Sequence, residues 1–322
     1  MFFEVCHHDF AKIYYSAQIA IFALKYYSLK NTVAKVAHYG VEVYVNKFYK
    51  DNGMHRRIAE FGDNHIEYWD TETALPPFVL VHGFGAEAKY QWYLQLSILS
   101  KKYRLIMPNL LYFGNSKNKS GKFTVQDQVE MLKGLLEKLE LNSVKLLGAS
   151  YGGLIGIELA SQTKLVNELF LMGAPIKFMY SNDHERVAKM FNIDEVHELF
   201  VPRNPVQLKK LIHASSGKPT WIPSFFLTPF QQQFYEGTIE EKRQLLEQLV
   251  AIREEFAEKD YRLDIPVHLI WGTNDPIVPF DRAQKLKDHI GANCTLDSIH
   301  NGGHMANMVN PKKFNRLLKK YC

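Results

Sequence analysis

One serine in this sequence lies in a setting that suits a nucleophile. Ser150 sits in the segment Gly148-Ala-Ser-Tyr-Gly-Gly153, directly after the apolar run Val144–Leu147 and directly before the helical pattern Leu154–Ala160. In a strand–turn–helix arrangement of this kind the serine takes a strained backbone conformation that exposes its hydroxyl, and glycines two positions away avoid a clash. The alternative interpretation is a plain glycine-rich turn. We predict that Ser150 is a catalytic nucleophile.

A serine hydroxyl is a weak nucleophile and needs a base within hydrogen-bond reach. His304 follows Gly302-Gly303 in the loop after the last predicted strand, Cys294–Ile299. His300 is closer to the strand end and lacks the glycines that let a loop bend inward. We predict His304 as the base of Ser150; the alternative is an ordinary surface histidine.

The base in turn needs an acid that fixes its tautomer and stabilises its protonated form. Asp275 comes just after the apolar run Val267–Trp271, in a turn that carries its carboxylate over the same sheet edge as the serine. We predict Asp275 as this acid; the alternative is an aspartate that only closes the turn. Three other aspartates are less suitable because they start a helix, lie within it or lie within a strand: Asp281, Asp288 and Asp297.

A tetrahedral intermediate on the serine requires hydrogen-bond donors aimed at its oxyanion. One candidate is the backbone N–H of Tyr151, immediately after the nucleophile. The second is the N–H of Phe84, in the loop His82–Gly85 that follows the apolar run Phe78–Val81. We expect the His82 side chain to be a structural hydrogen-bonding group and not a second base.

These residues must be positioned by a sheet. Short apolar runs bounded by turn residues predict strands that are buried on both faces, as in a parallel sheet. They are Phe78–Val81, Tyr103–Met107, Val144–Leu147, Glu168–Met172, Val267–Trp271 and Cys294–Ile299. Arg56–Phe61 and His65–Trp69 flank Gly62-Asp63-Asn64 and predict a hairpin. Alternation with helical patterns predicts an α/β fold with a mostly parallel, doubly wound sheet.

One helical insertion interrupts this alternation between Met172 and Val267. Three segments in it carry apolar residues at helical spacing: Arg186–Phe191, Val206–His213 and Thr238–Phe256. Two helix starts resemble capping boxes, Thr124 with Asp127 in the core and Thr238 with Glu241 in the insertion. We predict a helical cap over residues 177–262, above the carboxyl edge of a core formed by residues 56–176 and 263–322, because ligands bind at that edge in open α/β sheets.

Residues 1–55 precede this core and are predicted to be helical. The uncharged stretch Ile13–Leu24 is shorter than the roughly 20 apolar residues of a membrane span, and its acidic flank is atypical of a signal peptide. Tyrosines and lysines beside the stretch suit a helix in a membrane interface, with contact through residues 10–30. The alternative is a helix packed on the body of the protein. The expected location is cytoplasmic or peripheral to a membrane.

The overall composition excludes several classes of protein. The chain of 322 residues is 46% hydrophobic and 23% charged with a net charge of +5, and its basic residues are scattered among acidic ones. This pattern is typical of a globular protein and argues against a nucleic-acid partner. Cys6, Cys294 and Cys322 have neither metal-ligand spacing nor a disulfide pattern. We expect no metal and no organic cofactor.

Taken together, the chain from about Arg56 resembles the α/β-hydrolase superfamily. The resemblance rests on the segments His82–Gly85, Gly114–Ser116, Gly148–Gly153 and Gly302–His304, and on Asp275. It implies an α/β-hydrolase fold with a cap inserted after the sixth strand, and the triad of serine, aspartate and histidine. The cap length and the amino terminus are most like the monoacylglycerol lipase and carboxylesterase branch.

The resemblance also has one departure and one exclusion. Relatives often carry an aspartate and a glycine where this chain has Asn109 and Tyr112, and we expect that difference to affect pocket shape more than catalysis. Haloalkane dehalogenases and epoxide hydrolases of this fold use an aspartate at the position of Ser150, so the serine argues against both activities.

The substrate prediction rests on large apolar side chains in the cap. Trp221, Phe225, Phe226 and Phe230 could line a pocket for an acyl chain, or could form the core of the cap itself. The expected activity is hydrolysis of small-molecule or lipid carboxylic esters with a hydrophobic acyl group. The alternatives are a hydrolase of carbon–carbon bonds in ring-fission products, with Arg186 or Arg203 as a carboxylate anchor, and a non-catalytic ligand-binding protein.

Overall fold

The computed structural model describes the backbone of residues 4–85, 87–119, 121–177 and 179–322, with side chains described from Ser28 onward within these ranges. In this part of the chain eight strands form one sheet. The strands are β1 (His55–Phe61), β2 (Asn64–Asp70), β3 (Pro77–Val81), β4 (Arg104–Pro108), β5 (Val144–Ala149), β6 (Val166–Met172), β7 (Val267–Gly272) and β8 (Cys294–Ile299). Every predicted strand is present, with ends that differ by at most a few residues.

The strands are arranged in the order β1-β2-β4-β3-β5-β6-β7-β8. The hairpin β1–β2 is antiparallel, as is the pair β2–β4, and all other neighbours are parallel. The predicted mostly parallel α/β sheet and the predicted hairpin are therefore confirmed. Alternating residues of β3 explain the continuous apolar runs: Phe78 and Leu80 enter the core on one face of the sheet, and Val79 and Val81 enter the core on the other.

Helices cover both faces of the sheet and form the segment between β6 and β7. Those that pack around the core are α1 (Glu4–Asp51), α2 (Ala88–Leu99), α3 (Val125–Lys138), α4 (Tyr151–Gln162), α11 (Phe280–Ile290), α12 (Ala306–Val309) and α13 (Pro311–Leu318). Those between β6 and β7 are α5 (Ser181–Phe191), α6 (His197–Phe200), α7 (Pro205–Ser216), α8 (Thr228–Tyr235), α9 (Ile239–Ala251) and α10 (Arg253–Glu258), with a 3-10 turn at Ser224–Leu227. The single helix predicted over Thr238–Phe256 is two helices, which separate at Ile252.

The two predicted capping boxes have different outcomes. At the start of α3, the Thr124 hydroxyl accepts a hydrogen bond from the Asp127 N–H at 3.1 Å, and the Asp127 carboxylate accepts one from the Thr124 N–H at 3.2 Å. This box is confirmed. The box at Thr238 is wrong, because its hydroxyl donates to the Tyr235 carbonyl and accepts from the Lys242 ammonium, and so does not cap α9.

The amino-terminal helix α1 packs on the body of the protein through its carboxyl-terminal part. Val45 and Tyr49 are buried in the core, and the ring of Tyr49 meets Trp69 edge-on at 5.7 Å. The contact predicted through residues 10–30 falls mostly on side chains outside the described ones. In the described part of the chain, none of the helices combines the length and the hydropathy needed to cross a bilayer.

Candidate active site

Ser150 lies at the junction of β5 and α4, at the carboxyl edge of the sheet. Its backbone has φ +50° and ψ −122°, a conformation that a non-glycine residue seldom adopts. The turn is closely packed: a Cβ on Gly148 would lie 2.4 Å from the Gly152 carbonyl oxygen, and a Cβ on Gly152 would lie 2.4 Å from the His82 carbonyl oxygen. Only glycine fits at both positions, and this explains the sequence around the serine.

The structure brings the three predicted side chains together in one hydrogen-bonded chain. His304 Nε2 lies 2.9 Å from Ser150 Oγ, and His304 Nδ1 lies 2.8 Å from Asp275 Oδ2. With an ionised carboxylate as acceptor, Nδ1 carries the proton and Nε2 accepts from the serine hydroxyl. All three residues are buried. This arrangement is the one required for a serine that is activated by a histidine.

Backbone geometry fixes both partners of Ser150. The other carboxylate oxygen of Asp275, Oδ1, accepts hydrogen bonds from the N–H groups of Ile277 and Val278, each at 2.9 Å, so the carboxylate cannot rotate freely. The two glycines before His304 permit the close approach of neighbouring backbone: a Cβ on Gly303 would lie 2.3 Å from Ser216 at the end of α7. The histidine loop therefore packs directly against the segment between β6 and β7.

The loop His82–Gly85 runs beside the nucleophile. The Gly83 N–H donates to Gln91 Oε1 at 2.9 Å, and a Cβ on Gly83 would lie 3.1 Å from Ser150 Cβ. The next residue, Phe84, packs its ring edge-on against Tyr151 at 5.5 Å. The two residues predicted to supply oxyanion donors are thus neighbours beside Ser150. Their role as donors stays a prediction.

His82 holds this loop in place, as the sequence predicted. Its Nδ1 donates to the Gly83 carbonyl at 2.7 Å, and its Nε2 accepts from the Leu110 N–H at 2.9 Å. Complete burial lowers the pKa of His82 to about 4, so the ring is neutral at physiological pH. Both ring nitrogens are engaged in these structural bonds.

A large apolar cavity of about 470 Å³ opens from Ser150 and His304. Its walls come from five parts of the chain: α1, the His82–Gly85 loop, α2, the helices between β6 and β7, and the segment after His304. Apolar lining residues include Val45, Leu208, Leu211, Ile212, Phe234 and Met308. The volume is in the range of small-molecule binding pockets, and the lining suits a hydrocarbon chain.

The structure places the four aromatics predicted for the pocket in different surroundings. Phe230 lines the large cavity. Trp221 does not: its side chain is 94% exposed, because it precedes the 3-10 turn on the outside of the protein. Phe225 and Phe226 stack on each other with ring centroids 4.3 Å apart, and neither lines the cavity. Sequence reasoning could place these aromatics in the segment but not on its inner or outer face.

A second, narrower apolar cavity of about 70 Å³ also reaches Ser150. It lies beneath α5, α9 and α10 and is lined by residues such as Met179, Val187 and Leu246. Phe84 and Phe200 belong to the linings of both cavities. A carbonyl carbon at Ser150 would therefore have space for a substituent on either side.

Asn109 and Tyr112, the residues that depart from the family pattern, lie behind the site. Asn109 is buried, accepts from the Ala88 N–H at 2.9 Å and donates to the Glu67 carboxylate at 2.7 Å. Burial acts to raise the pKa of Glu67, but hydrogen bonds from Asn115 and Arg56 outweigh it and the pKa is lowered. Neither Asn109 nor Tyr112 lines either cavity. The two side chains therefore do not form a cavity wall themselves, and an effect on pocket shape is an indirect one.

In the part of the chain that the structure describes, histidine, cysteine, aspartate and glutamate side chains do not come together in groups of three or more that could hold a metal ion.

Comparisons with known proteins agree with this geometry. Residues 76–311 match the family described as alpha/beta hydrolase fold. The chain is 24% identical over 262 residues to monoacylglycerol lipase ABHD6 of Homo sapiens, covering 76% of this chain and 74% of that protein. It is 23% identical over 293 residues to a 2-hydroxy-6-oxo-6-(2'-aminophenyl)hexa-2,4-dienoic acid hydrolase of Metapseudomonas resinovorans, covering 88% and 93% of the two chains.

Among solved structures, a membrane phospholipase A described as a bacterial virulence factor matches with a TM-score of 0.76 at 18% identity, covering 96% of this chain and 97% of that one. At this identity the match concerns the fold alone, and it confirms the predicted fold class.

Proposed function

Because the chain belongs to the alpha/beta hydrolase family, we propose that it is a serine hydrolase of carboxylic esters with a hydrophobic acyl group. The observation that carries this proposal is the hydrogen-bonded chain from Ser150 through His304 to Asp275, which opens directly into the large apolar cavity. The name of one relative, a monoacylglycerol lipase, supports a lipid ester as substrate.

The proposed reaction follows from the positions of these atoms. Ser150 Oγ attacks the ester carbonyl carbon while His304 Nε2 takes the hydroxyl proton, and the Asp275 carboxylate stabilises the resulting imidazolium. The carbonyl oxygen becomes an oxyanion that the N–H groups of Phe84 and Tyr151 stabilise. The intermediate collapses to an acyl-enzyme as the alcohol leaves with the proton from His304. Water then repeats the sequence and releases the acid.

We assign the two cavities to the two parts of the ester substrate. The larger one has the volume and the apolar lining for an acyl chain, whereas the narrower one suits a compact group on the other side of the carbonyl carbon. We assign the acyl chain to the larger cavity because of its volume, and because the charged side chains of Asp183 and Arg253 line the narrower one.

The alternative of carbon–carbon bond hydrolysis has less support from the arginines named for it. Arg186 donates to the carbonyl oxygens of Pro276 at 2.7 Å and Ile277 at 2.9 Å, so its terminal nitrogens are engaged by backbone. Arg203 lines neither cavity. Arg253 does line the narrower cavity, and a ring-fission dienoate is therefore the appropriate comparison substrate.

The decisive experiment is labelling with a fluorophosphonate, followed by turnover of p-nitrophenyl esters of increasing chain length. We expect the label on Ser150, and we expect Ser150→Ala to lose both labelling and turnover. Ser161→Ala, in the same helix α4 but hydrogen-bonded only to the Glu158 carbonyl, is the matched control and should retain both. An unlabelled wild type would favour a non-catalytic ligand-binding protein, and faster turnover of the dienoate than of every ester would favour the carbon–carbon bond hydrolase.

We also propose that the protein contacts membranes peripherally through the outer face of α1. Leu29, Val33, Val36 and Val43 are exposed and recur at a spacing that places them on one side of the helix, opposite the buried Val45. Val36 is 67% exposed. The same helix lines the large cavity with its inner face, so a bilayer on the outer face would lie close to the substrate site.

We assign exposed Trp221 to the same membrane contact. It lies three residues before the 3-10 turn Ser224–Leu227, which packs against α1. Tryptophan is a preferred side chain at the interface between lipid and water. Lys35 and Lys47 lie in the same helix as these exposed apolar residues. Lys47 pairs with Asp51 at 2.8 Å, and the charge of Lys35 matches that of anionic headgroups.

Sedimentation with phosphatidylcholine–phosphatidylserine vesicles tests this surface on the full chain. Val36→Asp should weaken binding about tenfold or more, since it places a charge where the exposed valine would enter the lipid interface. Val206→Asp makes the same change at another exposed valine, in α7, and should bind as the wild type does. Equal binding by the two variants would refute the membrane proposal. A different result would identify the exposed valines of α1 as a contact between two copies of the chain. In that case the wild type does not bind vesicles but is a dimer by light scattering, and Val36→Asp is a monomer.

A further inference from the structure

A lysine in α9 is buried beside the active site without taking part in the proposed chemistry. The Lys242 side chain is 2% exposed, and its ammonium donates to the Thr238 hydroxyl at 2.9 Å and to the Phe234 carbonyl. Within the described part of the chain, no carboxylate lies within ion-pair distance of it. Burial lowers the pKa of Lys242 to about 8, so most of the molecules carry the charge at neutral pH.

The ammonium is held instead between two aromatic rings. It lies 4.8 Å from the centroid of the Phe113 ring and 4.9 Å from the centroid of the Tyr235 ring. Such cation–ring contacts stabilise by about 2 kcal/mol when both groups are removed from water. A neutral side chain of similar length would avoid the cost of burying a charge. The contacts that these two rings make with the rest of the protein therefore indicate which part of the structure the buried charge stabilises.

Both rings contact the His82–Gly85 loop. The Phe113 ring packs edge-on against the His82 ring at 5.0 Å and against the Phe84 ring at 5.3 Å. The Tyr235 hydroxyl donates to the Gly85 carbonyl at 3.3 Å. Through these contacts a single side chain of α9 is connected to the loop that carries Phe84, whose N–H is the predicted oxyanion donor.

The loop has little room to move between its neighbours. A Cβ on Gly83 would lie 3.1 Å from Ser150 Cβ, and a Cβ on Gly85 would lie 3.1 Å from Leu211 Cδ2 in α7. A shift of the loop therefore changes the position of the Phe84 N–H relative to the oxyanion that forms at Ser150. Donors of this kind act through fixed geometry, and small displacements are costly in rate.

We propose that Lys242 is a positioning residue, whose ammonium between Phe113 and Tyr235 fixes the His82–Gly85 loop in the geometry that receives the oxyanion. The inference rests on the proposed serine hydrolase function. Because the oxyanion exists only in the transition state and the intermediate, loss of this contact lowers kcat and leaves KM nearly unchanged.

The test compares a variant of buried Lys242 with a variant of half-buried Lys210. Lys242→Met keeps an unbranched side chain, one heavy atom shorter, and removes the charge, and we expect a decrease in kcat of about tenfold with KM unchanged. Amide hydrogen exchange in peptides that cover residues 82–88 should become faster. Lys210→Met is the matched control, since its ammonium donates to the Asn192 carbonyl at 3.0 Å, away from the loop, and it should match the wild type in both measurements.

Tyr235→Phe provides a second variant that keeps the ring and removes only the bond to the Gly85 carbonyl. We expect a smaller change in the same direction in kcat and in exchange. It also decides the question if Lys242→Met does not fold. A purely structural role for Lys242 would lower the melting temperature of Lys242→Met and leave kcat and loop exchange as in the wild type, which would overturn the inference.

Failure of the positioning role and failure of the proposed hydrolase function give different experimental results. If Ser150→Ala abolishes ester turnover while Lys242→Met and Tyr235→Phe retain wild-type kcat, the positioning role is wrong and the hydrolase function stands. If the wild type shows no serine-dependent ester turnover, the proposed function is wrong, and unchanged hydrogen exchange in both variants would then overturn the connection to the loop as well.

Discussion

Replacing Asp275 by asparagine changes one atom of the site and has a predictable consequence. In the structure Oδ1 accepts two backbone hydrogen bonds and Oδ2 accepts from His304 Nδ1. In Asp275→Asn the amide oxygen is the only acceptor, so it takes the Oδ1 position and the amide NH₂ faces the histidine. His304 must then accept at Nδ1 and carry its proton on Nε2. In that tautomer it cannot take the proton of Ser150.

The expected loss in kcat is large because both functions of the aspartate are removed. The wrong tautomer of the histidine in a triad costs about 10,000-fold, which corresponds to about 5 kcal/mol of transition-state stabilisation. KM should change little, since neither cavity includes Asp275 in its lining. The assay is the initial rate of p-nitrophenyl ester hydrolysis, with the melting temperature measured to show that the fold is intact.

A matched control distinguishes this effect from a general loss of a carboxylate. Asp297 lies in β8 and accepts hydrogen bonds from Lys320 and Tyr321, away from Ser150. Asp297→Asn should keep kcat within about twofold of the wild type. A decrease of less than tenfold in folded Asp275→Asn would refute the assignment of Asp275 as the acid that orients His304.

Three further predictions concern space, backbone and charge. Ile212→Trp narrows the large cavity, so kcat/KM for long-chain esters should fall at least tenfold relative to short-chain esters; an unchanged chain-length profile would show that the acyl chain lies elsewhere. Gly152→Ala places a methyl group 2.4 Å from the His82 carbonyl oxygen and should destabilise the protein by about 2 kcal/mol or more, whereas Gly40→Ala, with open space at its Cβ, should not lower the melting temperature. Burial raises the pKa of Glu87 from 4.5 to about 7, so the folded state binds more protons between these values and stability falls as pH rises through this window. Glu87→Gln should therefore raise the melting temperature at pH 8 and leave it almost unchanged at pH 4.5; an equal effect at both values would contradict the shift.

The parts of the fold that could be predicted from sequence are those that local patterns determine. A strand buried on both faces must be apolar throughout, so β3 and β7 are recognisable as continuous apolar runs. Glycines that permit backbone contact also mark the site: Gly148 and Gly152 crowd the turn at Ser150, and Gly303 lies against α7. These constraints are short in sequence, and they led to the serine, the aspartate and the histidine that the structure brings into one hydrogen-bonded chain.

Other features depend on packing between distant segments and leave no local pattern. Trp221 and Phe230 are both large aromatics in the same segment, yet one is exposed and the other lines the cavity. Thr238 has the spacing of a capping box, but Lys242 competes for its hydroxyl once α9 is folded. The contribution of Val45 to the cavity wall requires α1 to return to the body of the protein, which the sequence of α1 alone does not specify.

The position of α1 joins the substrate cavity to the proposed membrane surface. Its inner face includes Val45 in the cavity wall, and its outer face carries Val36 and Val43. An α-helix with its side chains is about 10 Å across, so a bilayer on the outer face would lie roughly one helix diameter from the cavity. An apolar ester at that interface would have only a short path to Ser150, past a wall that the membrane itself contacts. Vesicle binding should therefore raise kcat/KM for long-chain esters more than for short, water-soluble ones, and Val36→Asp should abolish this difference without changing turnover of the soluble ester. An equal activation of both esters by vesicles would separate membrane binding from substrate entry.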